Sequence, residues 1–324
     1  MSQPVTSEFT DFVTGKLALV EEELARQAGA DTPFVTEAAN HIISAGGKRF
    51  RPLLVVICSQ LGGQVSDRDL VRAAVVMELT HVASLYHDDV MDEATLRRGA
   101  ESANQRWGNS VAIMVGDFLF ARASETVAKL GTDFVELQAQ TFARLVQGQI
   151  AETRGPLDGE DPLQHYLDVV ADKTGSLIAA AAVFGGMVAG LPAETLQVLR
   201  RFGEEIGQVF QLADDLLDIT STRTGKTPGI DLREGVATLP VLLLRASADP
   251  ADEPVKELLD ADLSSDEALG RALAALRSSH VMDEARADIR ARAERARAEL
   301  SCLPGGPATD ALAELCDEVV SRSS

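Results

Sequence analysis

Two short stretches of this chain hold the residues best suited to chemistry. His87-Asp88-Asp89-Val90-Met91-Asp92 and Ala213-Asp214-Asp215-Leu216-Leu217-Asp218 share one pattern, Asp-Asp-x-x-Asp. On a helix, positions i and i+4 lie on the same face, so Asp88 projects with Asp92 and Asp214 with Asp218. Like charges at that spacing destabilise a bare helix by about 0.2–0.5 kcal/mol. A chain that does this twice, each time after an apolar run, has something positive to place there. Hard carboxylate oxygens suit Mg2+, which takes one or two carboxylates and leaves its other positions to water and phosphate oxygens. Either cluster alone reads equally well as a solvated acidic face. The repeat of the spacing favours the metal.

Two clusters sharing Mg2+ imply a phosphorylated ligand, and cations stand where such a ligand needs them. Arg97 and Arg98 follow the first cluster in a loop, and Lys226 follows the second. Lys173-Thr174-Gly175 closes a helical stretch. Gly46-Gly47-Lys48-Arg49-Phe50-Arg51-Pro52 sets three cations beside a turn whose glycine backbone can approach an anion closely. Arginine offers a planar fork matched to phosphate, and lysine a point charge. His81 precedes Asp88 by seven residues, two turns back on the same face, which fits a phosphate contact better than a core histidine.

Nearly every long segment that must position these residues has helical periodicity. Helices are predicted over Ser7–Ala28, Pro33–Ser44, Pro52–Leu61, Asp69–Asp92, Asn109–Leu130, Asp133–Thr153, Asp161–Thr174, Ser176–Ala189 and Ala193–Thr220. Five more are predicted over Leu239–Arg245, Glu253–Asp260, Ser265–Arg277, Val281–Leu300 and Ala308–Arg322, with Asp283–Leu300 mostly solvated. Gly/Pro-rich turns separate them, and no long linker or repeat appears. The expectation is an all-α protein, one large helical bundle domain over residues 1–324.

The 324 residues are enough for a substantial core. Fifty acidic residues against thirty Lys and Arg give a formal net charge of −20. That excludes a nucleic-acid binder with a basic stripe and steady adhesion to anionic lipid. Three cysteines without regular spacing, Cys58, Cys302 and Cys316, form no disulfide framework. No signal-peptide pattern opens the chain, and its most apolar run, Leu177 to Leu191, is short for a membrane span. These features predict a cytoplasmic protein without stable membrane insertion.

The ordered motifs GGKRFRP, HDDVMD followed by RRG, VGDFLF, the Lys-Thr pair, FQLADDLLD and GKTPGIDLREG closely resemble the trans-type polyprenyl diphosphate synthases. The resemblance runs from about His41 to Pro240. It implies an isoprenoid-synthase bundle with a central apolar cavity, a homodimer, and three Mg2+ per active site. The substrates it implies are isopentenyl diphosphate and an allylic diphosphate. Asp88, Asp92, Asp214 and, directly or through water, Asp218 would bind Mg2+, with Asp89 and Asp215 in support. Arg97, Lys173, Thr174, Gln211 and Lys226 would contact the allylic diphosphate. Lys48, Arg51, His81 and Arg98 would hold isopentenyl diphosphate, with the Gly47 backbone close by. Gln149 and Glu152 match the family's polar pair near the reacting carbons, and His87 would orient a carboxylate. Val236 stands where members commonly have lysine, leaving Arg233 as a substitute.

In the family a bulky aromatic four or five residues before the first Asp blocks the product tunnel. Here those positions are Ala83 and Ser84, with Thr80 and Val76 deeper on the same face. The expected product is therefore longer than C20, and Phe142, two turns before Gln149, is the candidate floor, though by itself it reads more readily as an ordinary core residue. The alternatives are a C15/C20 synthase, a non-catalytic subunit of a heteromeric synthase, a terpene cyclase and a helical scaffold. Both aspartate clusters are intact, which disfavours the subunit. GGKRFRP disfavours the cyclase, and the placement of the cations disfavours the scaffold.

Overall fold

The computed structural model describes residues 6–220 and 228–321. Helices run over α1 Ser7–Gln27, α2 Pro33–Ser44, α3 Phe50–Ser59 and α4 Asp67–Met91, then α5 Ala103–Trp107, α6 Asn109–Val127, α7 Thr132–Arg154 and α8 Pro162–Val170. They continue as α9 Ser176–Val188, α10 Ala193–Thr220, α11 Ile230–Arg233 and α12 Leu239–Ala246. The last are α13 Glu253–Leu259, α14 Asp266–Arg277, α15 Val281–Glu299 and α16 Pro307–Ser321. Among the described residues the only sheet is a two-residue hairpin, β1 Leu96–Arg97 with β2 Ala100–Glu101. The protein is all-α, and no described helix is long and apolar enough to cross a membrane.

The helix starts follow local chemistry. Thr32 accepts from the amide of Val35 with Pro33 at the first position, and Ser66 accepts from Asp69 with two acids in the first turn. Asp161 before Pro162, and Ser265, do the same for α8 and α14. The short hairpin turns through Arg98 and Gly99, both at positive φ, as a tight two-residue connection requires.

The chain forms two compact units. One comprises Met1–Ala143, Leu177–Gly203 and Cys302–Ala311, and the other Arg144–Ser176, Glu204–Ser301 and Leu312–Ser324. In the first, α4 is buried on nearly every side from Leu70 to Tyr86 and packs against α6, α3 and α1. Gly116 lets α6 come close, because a Cβ there would lie 2.3 Å from His87 Nε2 and 3.2 Å from the Ala83 carbonyl oxygen. Tyr86, fully buried, ties α4 to α2 by donating to the Ala38 carbonyl and accepting from the Ile42 amide at 3.3 Å.

In the second unit, Arg144 bridges Asp172 at 2.6 Å and Glu204, and α12 packs on α15 and α8. The structure refines the expectation of a mostly solvated α15. Ala285, Ile289, Ala293 and Ala296 bury one face of it, most of the helix's acids stay exposed, and half-buried Arg292 reaches across to Gln208 Oε1 at 2.7 Å.

Three local features differ from the sequence expectation. The predicted helix over Asp161–Thr174 ends at Val170, and a π-helical turn, Ala171–Gly175, carries Lys173 and Thr174. The predicted Pro52 start of α3 lies two residues late, since Phe50 and Arg51 are already helical. The hairpin, α5 and α11 are too short for periodicity to reveal.

Candidate active site

Asp88, Asp89 and Asp92 close α4, with Asp92 capping the helix through its amide on the Asp88 carbonyl at 2.8 Å. Asp88 is half-buried, Asp89 is fully buried and Asp92 is exposed. Asp89 faces inward and accepts from Arg97 Nε at 2.6 Å, while its Oδ2 is buried without a partner. Burial pushes its pKa up, against the pull of Arg97. The middle acid of the cluster is thus anchored in protein by Arg97. Arg97, expected on a diphosphate, is paired with Asp89 in this structure. His87 rests on the Ile113 carbonyl at 3.1 Å and lies 3.4 Å from Asp117 of α6.

The cations of the first unit gather around a carboxylate that sequence reasoning missed. Glu78, on α4 and almost wholly buried, takes Arg49 at 3.0 Å and lies 3.9 Å from Arg98. Arg51 is also buried, and its Nε has no partner. Burial lowers the Arg51 pKa to about 10. His81 is held well below its ordinary pKa by burial and by Arg51, Arg98, Arg97 and Arg49, so it is neutral. A guanidinium nitrogen buried without an acceptor, beside a neutral imidazole and other arginines, is the surrounding an anion fits. Gly47 adjoins this group, and Lys48 beside it is exposed.

Further down α4, Ala83, Ser84, Thr80 and Val76 are all buried. Thr80 accepts from Gln138 of α7 at 3.2 Å. Phe142, one turn beyond Gln138, is half-buried with its ring 4.2 Å from that of Phe120. Phe120 lies in turn 5.8 Å from the His87 ring. Phe120 was not singled out by sequence, although it ends the VGDFLF motif.

The second unit places Asp214, Asp215 and Asp218 on α10. Asp215 is buried, accepting from the Tyr166 hydroxyl and from Gln211 Nε2 at 2.7 Å. Burial raises its pKa to about 6, opposed by those two hydrogen bonds and aided by the charges of Asp214 and Asp218. Thr174 donates to Gln211 Oε1 at 3.0 Å, which chains the π-helical turn to this cluster. Lys173 pairs with Glu152. Asp231 joins the group, with its amide on Asp218 Oδ2 at 3.3 Å and its own pKa raised to about 7 by burial and then by Asp215 and Asp218. Gln149 is buried with its Oε1 unpartnered. Arg233 pairs with exposed Asp266, and Val236, where the family commonly has lysine, is exposed. Lys226 lies outside the described residues.

Both donor sets fit a hard divalent cation. Every candidate ligand is a carboxylate oxygen, and the mutual repulsion that adds to burial in raising Asp215 and Asp231 is what a cation relieves. Among the described residues, no group of three or more His, Cys, Asp or Glu could hold a metal by itself. A cation completed by phosphate and water needs no such group. Tyr166 lies outside the acidic pattern, and Asp231, although inside the GKTPGIDLREG motif, is a lone acid on the one-turn helix α11, so neither was singled out by sequence.

Residues 32–276 match the family described as polyprenyl synthetase. Over 316 residues the chain is 44% identical to nonaprenyl diphosphate synthase of Mycobacterium tuberculosis, spanning 97% of this chain and 94% of that protein. A polyprenyl synthase structure from Caulobacter crescentus, complexed with calcium and isoprenyl diphosphate, matches with TM-score 0.89 at 32% identity, covering 100% of this chain and 99% of that one. The geranylgeranyl pyrophosphate synthase structure from Corynebacterium glutamicum, complexed with the same ligands, matches with TM-score 0.87 at 41% identity over 98% of both chains. With motifs, all-α fold and relatives in agreement, this chain belongs to the polyprenyl synthetase family and is a prenyltransferase.

Proposed function

We propose that the protein condenses isopentenyl diphosphate with an allylic diphosphate, repeatedly, to an all-trans polyprenyl diphosphate longer than C20. The observation that carries this reading is the pair of aspartate clusters, each with its middle acid anchored by protein donors, together with the unpartnered buried guanidinium of Arg51. Asp88, Asp92, Asp214 and Asp218 hold Mg2+, three ions per active site. Bound Mg2+ supplies electrostatic stabilisation of charge on the leaving diphosphate. Calcium and isoprenyl diphosphate in the two related structures support a divalent cation and this substrate class.

The chain's own residues do the rest. Asp89 and Asp215 are turned inward and orient the clusters through their neighbours. Lys173, Thr174, Gln211, Arg97 and Lys226 bind the allylic diphosphate. Arg97 reaches it by exchanging or sharing its contact with Asp89. Lys48, Arg51, His81 and Arg98 hold isopentenyl diphosphate, with neutral His81 serving as an N–H donor. Fixing both diphosphates places the isopentenyl double bond against the allylic carbon, the kind of positioning that removes most of the entropy cost of a bimolecular step. Apolar walls exclude water, which would otherwise quench the allylic cation. Gln149 and Glu152 lie near the reacting carbons, and the proton lost leaves on the departing diphosphate.

Product length follows from α4. The small side chains of Ala83 and Ser84 would leave room for the chain, and Phe142, its ring tilted against that of Phe120, would close it. The nonaprenyl synthase relative supports a long product. The protein works as a single catalytic domain, a homodimer in the cytoplasm. Exposed Ile113 and Met114 on α6, 43% and 61% accessible, support the dimer.

The test is turnover of the purified protein with Mg2+, isopentenyl diphosphate and C15 or C20 allylic primers, with products sized by mass spectrometry. Products extending beyond C20 are expected. Products that stop at C15 or C20 would assign it to the short-chain enzymes, and no turnover with any primer to a non-catalytic subunit.

A further inference from the structure

The first unit contains a buried acid that neither the metal clusters nor the expected diphosphate contacts use. Glu78 is 2% exposed and is the one acid between Asp69 and Asp88 on α4. A carboxylate is that deeply buried only when it is paired. Its Oε1 accepts from Arg49 Nη1 at 3.0 Å and lies 3.9 Å from Arg98 Nη2. The two arginines share a backbone peculiarity, since Arg49 has φ 46° and Arg98 φ 54°. Non-glycine residues persist in that region when surrounding contacts over-determine them. Those contacts are visible: Arg49 donates to the Ile43 carbonyl at 2.9 Å, and Arg98 to the Ile42 carbonyl at 3.0 Å and to that of Gly46. The end of α2 and one buried carboxylate therefore fix both guanidinium planes.

Gly47 completes the arrangement. A Cβ there would lie 2.9 Å from Arg98 Cζ and 3.0 Å from Arg49 Nη1, at a φ of +157° that a side chain rarely adopts. The guanidiniums lie directly against the backbone that leads to Lys48. Arg49 is further occupied by Glu21, which is half exposed. Three guanidiniums thus meet two carboxylates, and the one left without an acid partner in this group is Arg51, buried with an orphaned Nε.

We infer that Glu78 is the positioning residue of the isopentenyl diphosphate site. It anchors Arg49 and Arg98 so that the surplus positive charge, on Arg51 and the outer edge of Arg98, is presented to the incoming diphosphate. The inference rests on the reading that this cluster receives isopentenyl diphosphate. Glu78 touches no substrate. It keeps the arginines apart and in plane, where otherwise their mutual repulsion would splay them, and it leaves the cluster one charge short of neutral.

The test uses the full chain with Glu78→Gln and Glu78→Asp. Calorimetry with inorganic diphosphate, without divalent metal so that the aspartate clusters do not compete, reads the cradle alone. Steady-state kinetics with Mg2+ then reads KM for each substrate. Glu78→Gln should weaken diphosphate binding about 10–100-fold, the usual consequence of losing an outer partner of a binding group. It should raise KM for isopentenyl diphosphate in proportion, with kcat and the allylic KM unchanged. Glu78→Asp, which keeps the charge but shortens its reach, should fall between. Wild-type affinity in Glu78→Gln overturns the inference, as does a rise of both KM values in step with a fall in Tm. Should Glu78→Gln not fold, unchanged affinity in Glu78→Asp overturns it equally. A wild type that binds no diphosphate also overturns it. A protein that shows the predicted loss of diphosphate affinity yet turns over no isoprenoid overturns the proposed reaction and leaves the role of Glu78 standing.

Discussion

His81 shows what the surroundings of one residue decide. Half-buried and facing four arginines, it stays neutral in the folded protein, whereas in the unfolded chain it titrates near its ordinary 6.5. The unfolded state therefore binds more protons below that pH, so stability is full above about pH 6.5 and is lost as pH falls through it. His81→Gln should flatten the acid side of a Tm-against-pH profile below 6.5, and an unchanged slope would show that the histidine is charged in the fold. Tyr166 acts through Asp215. Its hydroxyl is one of two donors that hold that buried carboxylate as a charge. Tyr166→Phe should raise the Mg2+ concentration needed for half-maximal turnover about tenfold or more while leaving the fold intact. Equal Mg2+ dependence in both proteins would remove Tyr166 from the site. The acids and most of the cations were legible as residue types at a spacing. Their partners were not, because Glu78 with Arg49 and Tyr166 with Asp215 are separated by 29 and 49 residues in sequence.

At the scale of elements, α4 carries the account of product length. Its buried face holds Ser84 one turn above Thr80, and Thr80 meets Gln138, one turn before Phe142 on α7. Ala83→Phe should shorten the products and Phe142→Ala should lengthen them, both read by product mass. Unchanged distributions in both would place the growing chain along another surface. Phe120, whose ring is tilted against that of Phe142, should modulate the second effect. The long helices were legible because their apolar residues recur with helical period and their caps are ordinary Ser, Thr and Asp. The π-helical turn at Ala171–Gly175 was not, since Asp172-Lys173-Thr174 continues the helical pattern, and only packing shows the extra residue. There a Cβ on Gly148 would lie 2.7 Å from the Lys173 amide nitrogen, so α7 lies directly against the turn that presents Lys173 and Thr174.

For the whole molecule, a net charge of −20 and two anionic substrates look incompatible until the cations are located. Bulk charge governs solubility and association, while on the proposed reading affinity would be decided within a few ångströms by Arg51, His81 and their neighbours. The apolar residues exposed on α6 have a different consequence. Ile113→Glu with Met114→Glu should convert a dimer to a monomer in sedimentation velocity. A wild type that sediments as a monomer would remove the dimer from the account. Fold class was legible throughout the chain, because helical periodicity is local. Association was not, because an exposed Met or Ile in sequence is indistinguishable from a core residue at the same helical spacing. If both aspartate clusters serve one Mg2+-dependent condensation, single-substitution kinetics of Asp88→Asn and Asp214→Asn must show it. Each should lower kcat about 10²–10³-fold or more with the melting transition retained, as loss of a principal charge-stabilising group does. Near-wild-type turnover in either variant would contradict the account.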